Sequence, residues 1–105
     1  MAKCEYLPEE YLNSMAETIK LLGNVQRLKI VEFLDINGEC PVHKIISGTN
    51  GAQSAVSQHL NKMKRAGMIA SRRDKNEVYY RLSEQNPVTI LNCMRSKFNE
   101  MSGRC

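Results

Sequence analysis

Apolar residues recur at steps of three and four along most of the chain, and this spacing predicts helices with one apolar face each. The first predicted helix covers residues 11–22 and ends at Gly23. Its apolar stripe consists of Leu12, Met15, Ile19 and Leu22. A second helix follows, because Asn24 can accept from the free amides of the next turn and Asn37-Gly38 tolerates the positive φ that ends a helix. The stripe of the second helix consists of Leu28, Val31 and Leu34.

Two further helices are predicted on either side of a short turn that contains glycine. The third begins at Pro41, whose missing amide hydrogen costs nothing in a first turn, and ends near Ser47. Residues 48–51 form the turn, and the fourth helix covers residues 52–66. The inward side of the fourth helix consists of Val56, Leu60 and Met63. Two helices joined in this way form a helix-turn-helix unit, here over residues 41–66.

The pattern changes to strand spacing after the fourth helix. Residues 68–71 and 78–82 are typical of strands, and residues 74–77 are typical of the loop that joins a hairpin. In the second strand one face is formed by Val78, Tyr80 and Leu82. The hairpin over residues 68–82 is therefore a candidate wing.

A final helix is predicted over residues 87–101, opened by Asn86-Pro87. Its stripe consists of Val88, Leu91, Met94, Phe98 and Met101. A terminal helix beyond a complete small domain has few surfaces on which to bury such a stripe, so we expect it to pair with the first helix and with its own copy in a second subunit. The alternative is that it folds back on its own domain. The expected dimer interface consists of Leu12, Met15, Ile19, Leu91, Met94 and Phe98.

The composition limits the chain to one domain. Its 105 residues, 42% of them apolar, suffice for one modest core. No apolar stretch approaches the roughly 20 residues needed to cross a bilayer, and acidic residues follow the first lysine where a signal peptide would be apolar. We expect one winged helix-turn-helix domain over residues 1–105, mainly α-helical with a two-stranded β-hairpin, in the cytoplasm and without a membrane partner.

Positive charge is concentrated in one segment. The net charge is +4, whereas residues 51–82 alone carry seven basic and two acidic residues and hence +5. A basic segment on an otherwise neutral chain is expected of a protein that binds the phosphate backbone of nucleic acid. A solvated basic surface without a partner is the alternative.

The side of the fourth helix opposite its apolar stripe carries hydrogen-bonding groups and no acid. At about 100° per residue, this polar face consists of Gln53, Ser54, Ser57, Gln58, Asn61 and Arg65. Gln and Asn pair with adenine, and Ser and Arg reach base edges or phosphates, so we expect this face to read DNA. His59 lies at its flank, where it either donates to a phosphate or packs against the helix edge. The cations expected over the minor groove or flanking phosphates are Arg72, Arg73 and Lys75.

Five strings of residues, in this order and spacing, resemble the ArsR/SmtB (arsenic-repressor) family of winged helix-turn-helix regulators. They are LGNVQRLKIV at 22–31, QSAVSQHL at 53–60, AGMI at 66–69, RR at 72–73 and VYYRL at 78–82. The resemblance covers about residues 16–98. It implies a homodimeric repressor that holds double-stranded operator DNA and leaves it on binding metal or metalloid ions or on thiol oxidation. It also implies that DNA is read by Gln53, Ser54, Ser57 and His59.

The chain departs from this family at the start of the reading helix. The family usually has a Gly-Leu-Ser turn whose serine caps the helix, whereas this chain has Asn50, Gly51 and Ala52. Because alanine cannot cap, the first turn is expected to be capped by Thr49 or Asn50, or to stay frayed until DNA binds.

The sequence does not decide whether the signal that releases DNA is a metal ion bound by cysteines or a signal that uses no inducer-binding cysteine. The arsenic-sensing members have Cys-Val-Cys at the start of the third helix, where this chain has ECPVH at 39–43. Cys40 and His43 are spaced to share a helix face, and Cys4 on the N-terminal arm could reach them from a partner subunit. Thiolate and imidazole together suit zinc or a softer, thiophilic metal ion, the only cofactor for which the sequence offers candidates. A member of the family without inducer-binding cysteines is the other interpretation.

A thiol switch through Cys93 and Cys105 is a further alternative. Oxidation that joins two cysteines would change the spacing of the two reading helices in a dimer. The redox members of the family place their cysteines where this chain has Val31 and about Asn99, so their pattern is not reproduced.

Two other classes of function compete with a regulator. An enzyme could use Cys40 and His43 as nucleophile and base, but no orienting acid or oxyanion loop accompanies them. A winged helix that binds only protein is the second alternative, and it predicts weak dependence on salt, whereas DNA binding through several phosphates weakens steeply as salt rises.

Overall fold

The computed structural model describes residues 5–103, so Cys4 and Cys105 lie outside the described residues. The chain forms five helices and three short strands within this range. In chain order they are α1 (Glu9–Leu22), α2 (Val25–Asn37), β1 (Cys40–Pro41), α3 (Val42–Thr49), α4 (Gln53–Arg65), β2 (Ile69–Asp74), β3 (Glu77–Leu82) and α5 (Asn86–Met101).

The first two helices follow the local signals in the sequence. Helix α1 begins two residues earlier than predicted, directly after Pro8, and two glutamates in its first turn complement the positive end of the helix dipole. Asn24 caps α2 as predicted, because its Oδ1 accepts from the backbone N–H of Gln26 at 2.9 Å and of Arg27 at 3.1 Å. Gly38 ends α2 with a φ of 75°.

The prediction that Pro41 begins α3 was wrong. Pro41 belongs to β1, where Cys40 pairs with Tyr80 and Pro41 with Tyr79, and α3 therefore begins at Val42. Helix α3 extends to Thr49, past the predicted end, and the left-handed Asn50 (φ 55°) closes it. The strand was missed because a two-residue segment with a proline carries no alternating pattern.

Neither Thr49 nor Asn50 caps the first turn of α4 within residues 5–103, contrary to the prediction. Ala52 stands at the cap position and no side chain bonds the first turn. The Thr49 hydroxyl instead donates to the Ile45 carbonyl at 2.7 Å, because Thr49 lies inside the last turn of α3.

The predicted hairpin wing is confirmed as strands β2 and β3, and β1 adds a third strand that the sequence did not predict, in the order β1-β3-β2. Strands β2 and β3 pair from Ile69 with Leu82 to Asp74 with Glu77, so they are longer than the sequence pattern suggested. Lys75 (φ 60°) and Asn76 form the tight turn between them.

The core lies between α2, α3, α4 and the sheet. The predicted stripe of α4 is confirmed, since Val56, Leu60 and Met63 are fully buried. On α2 the prediction is partly corrected, because Ile30 is fully buried while Leu28 is only half-buried. Helix α5 packs against α1 and α2, and its Leu91 joins this core at 5% exposure.

Candidate nucleic-acid interface

Helix α4 presents its polar face to solvent because its opposite face is fully buried in the core. Gln58, Asn61 and Arg65 are exposed on this polar face, and Ser57 is half-buried between them and the core side. The first turn adds Gln53 and Ser54, both exposed. The structure therefore brings together all six residues of the predicted reading face on one side of a single helix.

His59 lies at the flank of the reading face and is held by a residue that sequence analysis did not select. The Nε–H of Arg27 on α2 donates to His59 Nδ1 at 3.0 Å, and Arg27 Nη1 donates to the Leu21 carbonyl of α1 at 3.1 Å. Arg27 thus connects α1, α2 and α4. No local pattern could reveal this contact, because 32 residues separate the two side chains.

The environment of His59 favours its neutral form. Partial burial lowers the pKa of this imidazole below its ordinary value of 6.5, and the positive charges of Arg27 and Lys62 lower it further. Since Nδ1 accepts a hydrogen bond, the ring proton resides on Nε2. His59 can therefore offer a neutral N–H donor beside the reading face.

The turn between α3 and α4 is held against α2. Gln26 Nε2 donates to the Thr49 hydroxyl at 3.2 Å and so links α2 to the end of α3. A Cβ on Gly51 would lie 2.4 Å from that same amide and 2.6 Å from Val56. Only glycine fits this turn without a shift of its neighbours.

The two arginines of the wing lie on opposite faces of the sheet, because side chains alternate along β2. Arg72 forms a bidentate ion pair with Glu39. The Nε of Arg72 lies 3.0 Å from both carboxylate oxygens of Glu39, and its Nη2 lies 2.8 Å from Oε1. Its guanidinium also lies 4.7 Å above the ring of Tyr79. The hydrogen bonds from Arg72 lower the pKa of the Glu39 carboxyl. Arg73 and the turn residue Lys75 are exposed and make no such pair within residues 5–103.

The residues considered for metal binding do not form a cluster in the described part of the chain. Cys40 is 6% exposed and its thiol donates to the Gly38 carbonyl at 3.2 Å. His43 is exposed and lies 3.5 Å from a carboxylate oxygen of Glu77. Among residues 5–103 no three His, Cys, Asp or Glu side chains are grouped to hold an ion. Cys93 is exposed on α5, and Cys4 and Cys105 fall outside the described residues.

Helices α1 and α5 pack together and leave apolar side chains in solvent. Leu12 and Ile19 on α1 are 49% and 56% exposed, and Met94 and Phe98 on α5 are 45% and 53% exposed. Met15 is half-buried. Leu91, predicted for the dimer interface, is instead buried in the core of its own chain, because α5 turns that residue toward α2. Within residues 5–103, none of the helices is sufficiently long and apolar to cross a membrane.

Comparisons with known proteins agree with this architecture. The family model described as "bacterial regulatory protein, arsR family" matches residues 24–71. A helix-turn-helix transcriptional regulator of Methanocaldococcus jannaschii is 32% identical over 82 residues, which cover 78% of this chain and 92% of that protein. The chain belongs to the ArsR family. The helix-turn-helix-type transcriptional repressor SmtB of Mycobacterium tuberculosis is 34% identical over 84 residues, which cover 80% of this chain but only 62% of SmtB.

Solved structures have the same fold as this ArsR-family chain. The transcriptional repressor BigR from Xylella fastidiosa superposes with a TM-score of 0.79 at 28% identity, over 86% of this chain and 91% of BigR. The homodimeric winged helix-turn-helix DNA-binding domain of Mb0332 from Mycobacterium bovis gives a TM-score of 0.69 at 26% identity, over 95% and 92% of the two chains. The winged helix-turn-helix prediction is therefore confirmed.

Membership of the ArsR family decides between the competing classes of function. Proteins of this family are transcription regulators and not enzymes. Cys40 is buried and its thiol is hydrogen-bonded, which is consistent with a structural role.

Proposed function

We propose that this ArsR-family protein is a homodimeric transcription repressor that binds operator DNA through α4 and the wing and releases it on a chemical signal. One observation carries the proposal. The core side of α4 is fully buried while its other side exposes an uncharged polar surface ending in a cation, Arg65. A protein surface that only needs hydration has no reason to exclude acids from that helix. SmtB and BigR, which this chain resembles, are named repressors.

The reading face suits the edges of bases in the major groove. Gln58 and Asn61 are exposed one turn apart and can each pair with adenine through two hydrogen bonds. Ser54 and Ser57 reach base edges or phosphates, and Arg65 reaches guanine or the backbone. His59 is proposed to donate its Nε2–H to a phosphate at the edge of the groove. Gln53 opens the helix and faces the DNA at its N-terminal end.

The wing is proposed to contact the DNA backbone through the cations that are not already paired. Arg73 and Lys75 lie at its outer end and are exposed. Arg72 also faces solvent, but its ion pair with Glu39 competes with any phosphate. We therefore assign Arg72 primarily to holding β2 against the segment that precedes β1, with DNA contact as its secondary role.

The α1 and α5 surface is proposed as the dimer interface. Exposed Leu12, Ile19, Met94 and Phe98 would be covered by the same surface of a second copy, with Met15 at its edge. Mb0332, whose domain is homodimeric, has the same fold. A two-fold axis gives two reading helices that face two half-sites of an inverted repeat, about one helical turn apart or a multiple of it. The regulator is proposed to act on DNA in the cytoplasm.

The signal is proposed to act through the dimer rather than through the reading face. Three candidates stay open: a thiophilic metal at Cys4, Cys40 and His43, oxidation of Cys93 with Cys105, or a ligand that uses no cysteine. Rotation of one subunit relative to the other would change the separation of the two α4 helices. Operator binding measured with soft metal ions, with a thiol oxidant and with a reductant separates the first two candidates from the third.

A gel-shift titration with the DNA upstream of the protein's own gene tests the proposal. We expect Ser57→Ala and Gln58→Ala each to weaken operator binding by about 1–3 kcal/mol for each base interaction removed. Gln85→Ala is the matched control, because Gln85 is equally polar and exposed but lies at the start of α5. If the wild type binds operator and unrelated duplex equally, or if Gln58→Ala and Gln85→Ala behave alike, the proposal is wrong.

A further inference from the structure

A second basic surface lies beside the reading face, in a groove where α1, α2 and α4 meet. Four cations and one acid line this open groove of about 520 Å³, which we call the flank groove. The charged residues are Lys20 and Glu17 on α1, Arg27 on α2, and Lys62 and Arg65 on α4. The sequence pattern did not single out Lys20, Arg27 or Lys62.

The positive charge of the flank groove is offset only in part, by Glu17. Within residues 5–103 neither Lys20, Lys62 nor Arg65 forms an ion pair. Arg27 bonds only the neutral His59 ring and the Leu21 carbonyl, so its full charge remains. Cations near the ends of α1 and α4 do complement the helix dipoles, which explains their presence on each helix. It does not explain why cations from three helices converge on one groove.

The flank groove adjoins the reading face of α4. Arg65 belongs both to the reading face and to the groove, so the two surfaces are continuous. Lys62 follows Asn61 of the reading face and lies toward His59, on the side of α4 that faces α2. When a recognition helix lies in the major groove, the sugar-phosphate backbone runs beside it and is crossed by the helix before it, here α3. Cations next to α4 are therefore close to phosphates of the bound strand. Lys20, in the last turn of α1, extends this basic surface from α4 onto a second helix.

We propose that the flank groove binds the phosphates of the DNA strand that borders the major groove, through Lys20, Lys62 and Arg27, beyond the bases that α4 reads. This inference rests on the proposed DNA-binding function and extends it to a part of the surface that includes the dimerisation helix α1. It makes α1 a contributor to both the proposed interface and the DNA contact.

The test is the salt dependence of operator binding in the full chain. The plot of log K against log salt has a negative slope, and removing one phosphate interaction makes that slope shallower by about 0.9. We expect Lys20→Gln and Lys62→Gln each to make the slope shallower by about one unit. Both variants should also have lower affinity for operator and for unrelated duplex. Lys29→Gln is the matched control, because Lys29 is an exposed α2 lysine outside the groove and its replacement changes the net charge equally. Sedimentation and circular dichroism confirm that each variant remains folded and in the oligomeric state of the wild type.

A second arm uses operator duplexes of different length. Because Lys20 is proposed to contact DNA beyond the bases that α4 reads, a duplex truncated at those bases is expected to bind wild type and Lys20→Gln with equal slopes. The inference alone fails if Lys20→Gln and Lys62→Gln keep the slope of Lys29→Gln while Gln58→Ala still weakens operator binding. If Gln58→Ala has no effect on operator binding either, the proposed function itself fails.

Discussion

Arg27 donates its Nε–H to Nδ1 of His59 over 3.0 Å, and this bond determines which ring nitrogen carries the proton. His59 Nε2 has no hydrogen-bond partner within residues 5–103, and no buried side-chain nitrogen there is without one, so Nε2–H reaches solvent. The same guanidinium bonds the last turn of α1. A movement of α1 therefore reaches the reading helix through one side chain.

The protonation of His59 is expected to weaken the fold as the pH falls. Its pKa is lowered in the folded protein, chiefly by burial and further by Arg27 and Lys62, so the unfolded chain binds its proton first. The stabilising effect is complete above the unfolded value of about 6.5 and is lost as the pH falls below it. Urea titrations at pH 7.5 and 5.5 should show a larger decrease in stability for the wild type than for His59→Asn, whose amide oxygen retains the acceptor but does not titrate. Equal decreases in the two proteins would contradict this account.

Arg27→Lys separates the positioning role of Arg27 from its charge. Lysine keeps the positive charge in the flank groove but lacks the guanidinium fork that bonds His59 and Leu21 together. We expect operator affinity to fall about tenfold, equivalent to about 1.4 kcal/mol, with an unchanged salt slope. Unchanged operator affinity together with an unchanged salt slope would instead indicate that Arg27 acts only as a charge.

A serine at position 52 is expected to stabilise the protein. Ala52 has the extended backbone of a helix cap, but no side chain bonds the first turn of α4. Ala52→Ser supplies an acceptor for those amides and should raise the free energy of unfolding by about 1 kcal/mol. Asn24→Ala is the reciprocal control, since it removes the two cap hydrogen bonds of α2 and should lower the free energy of unfolding by a similar amount. A neutral or destabilising Ala52→Ser, measured by urea unfolding, would show that another group already satisfies the turn.

The pair of Glu39 with Arg72 is expected to hold the wing for DNA binding. Glu39→Gln removes the charge that binds the guanidinium at two points, so the wing should become more mobile and operator affinity should fall. Affinities of Glu39→Gln, Arg72→Gln and the double variant form a cycle, in which we expect the effect of the double variant to be smaller than the sum of the single effects. Tighter binding by Glu39→Gln would show the opposite, that Glu39 keeps Arg72 away from phosphate.

An acidic residue on the α1 surface is expected to separate the proposed dimer. Ile19 is 56% exposed in the single chain, and Ile19→Asp places a charge where the second copy would lie. Sedimentation should then give a monomer with weakened operator binding. Ile36→Asp is the matched control, because Ile36 is 67% exposed on α2 in the groove beside Gly48, away from α1 and α5. A dimeric Ile19→Asp protein would place the interface elsewhere.

Features that depend on residues close in the chain were predictable from the sequence. The cap of Asn24 on α2, the buried stripe of α4 and the polar face opposite it follow from contacts within one or two helical turns. The hairpin followed from strand alternation, with errors of a few residues at its ends. The reading-face residues could be named because a helix fixes where each side chain points.

What the sequence alone determined, then, is the five helices, the hairpin and the polar face of α4, because hydrogen bonds and periodicity within one element or hairpin have a visible spacing. Tertiary structure alone decided the pairing of Pro41 with Tyr79, the burial of Leu91 in its own core and the bond between Arg27 and His59. The flank groove belongs to the same class, since its cations come from three helices. Such contacts join residues far apart in the chain, and their geometry exists only after the helices have packed.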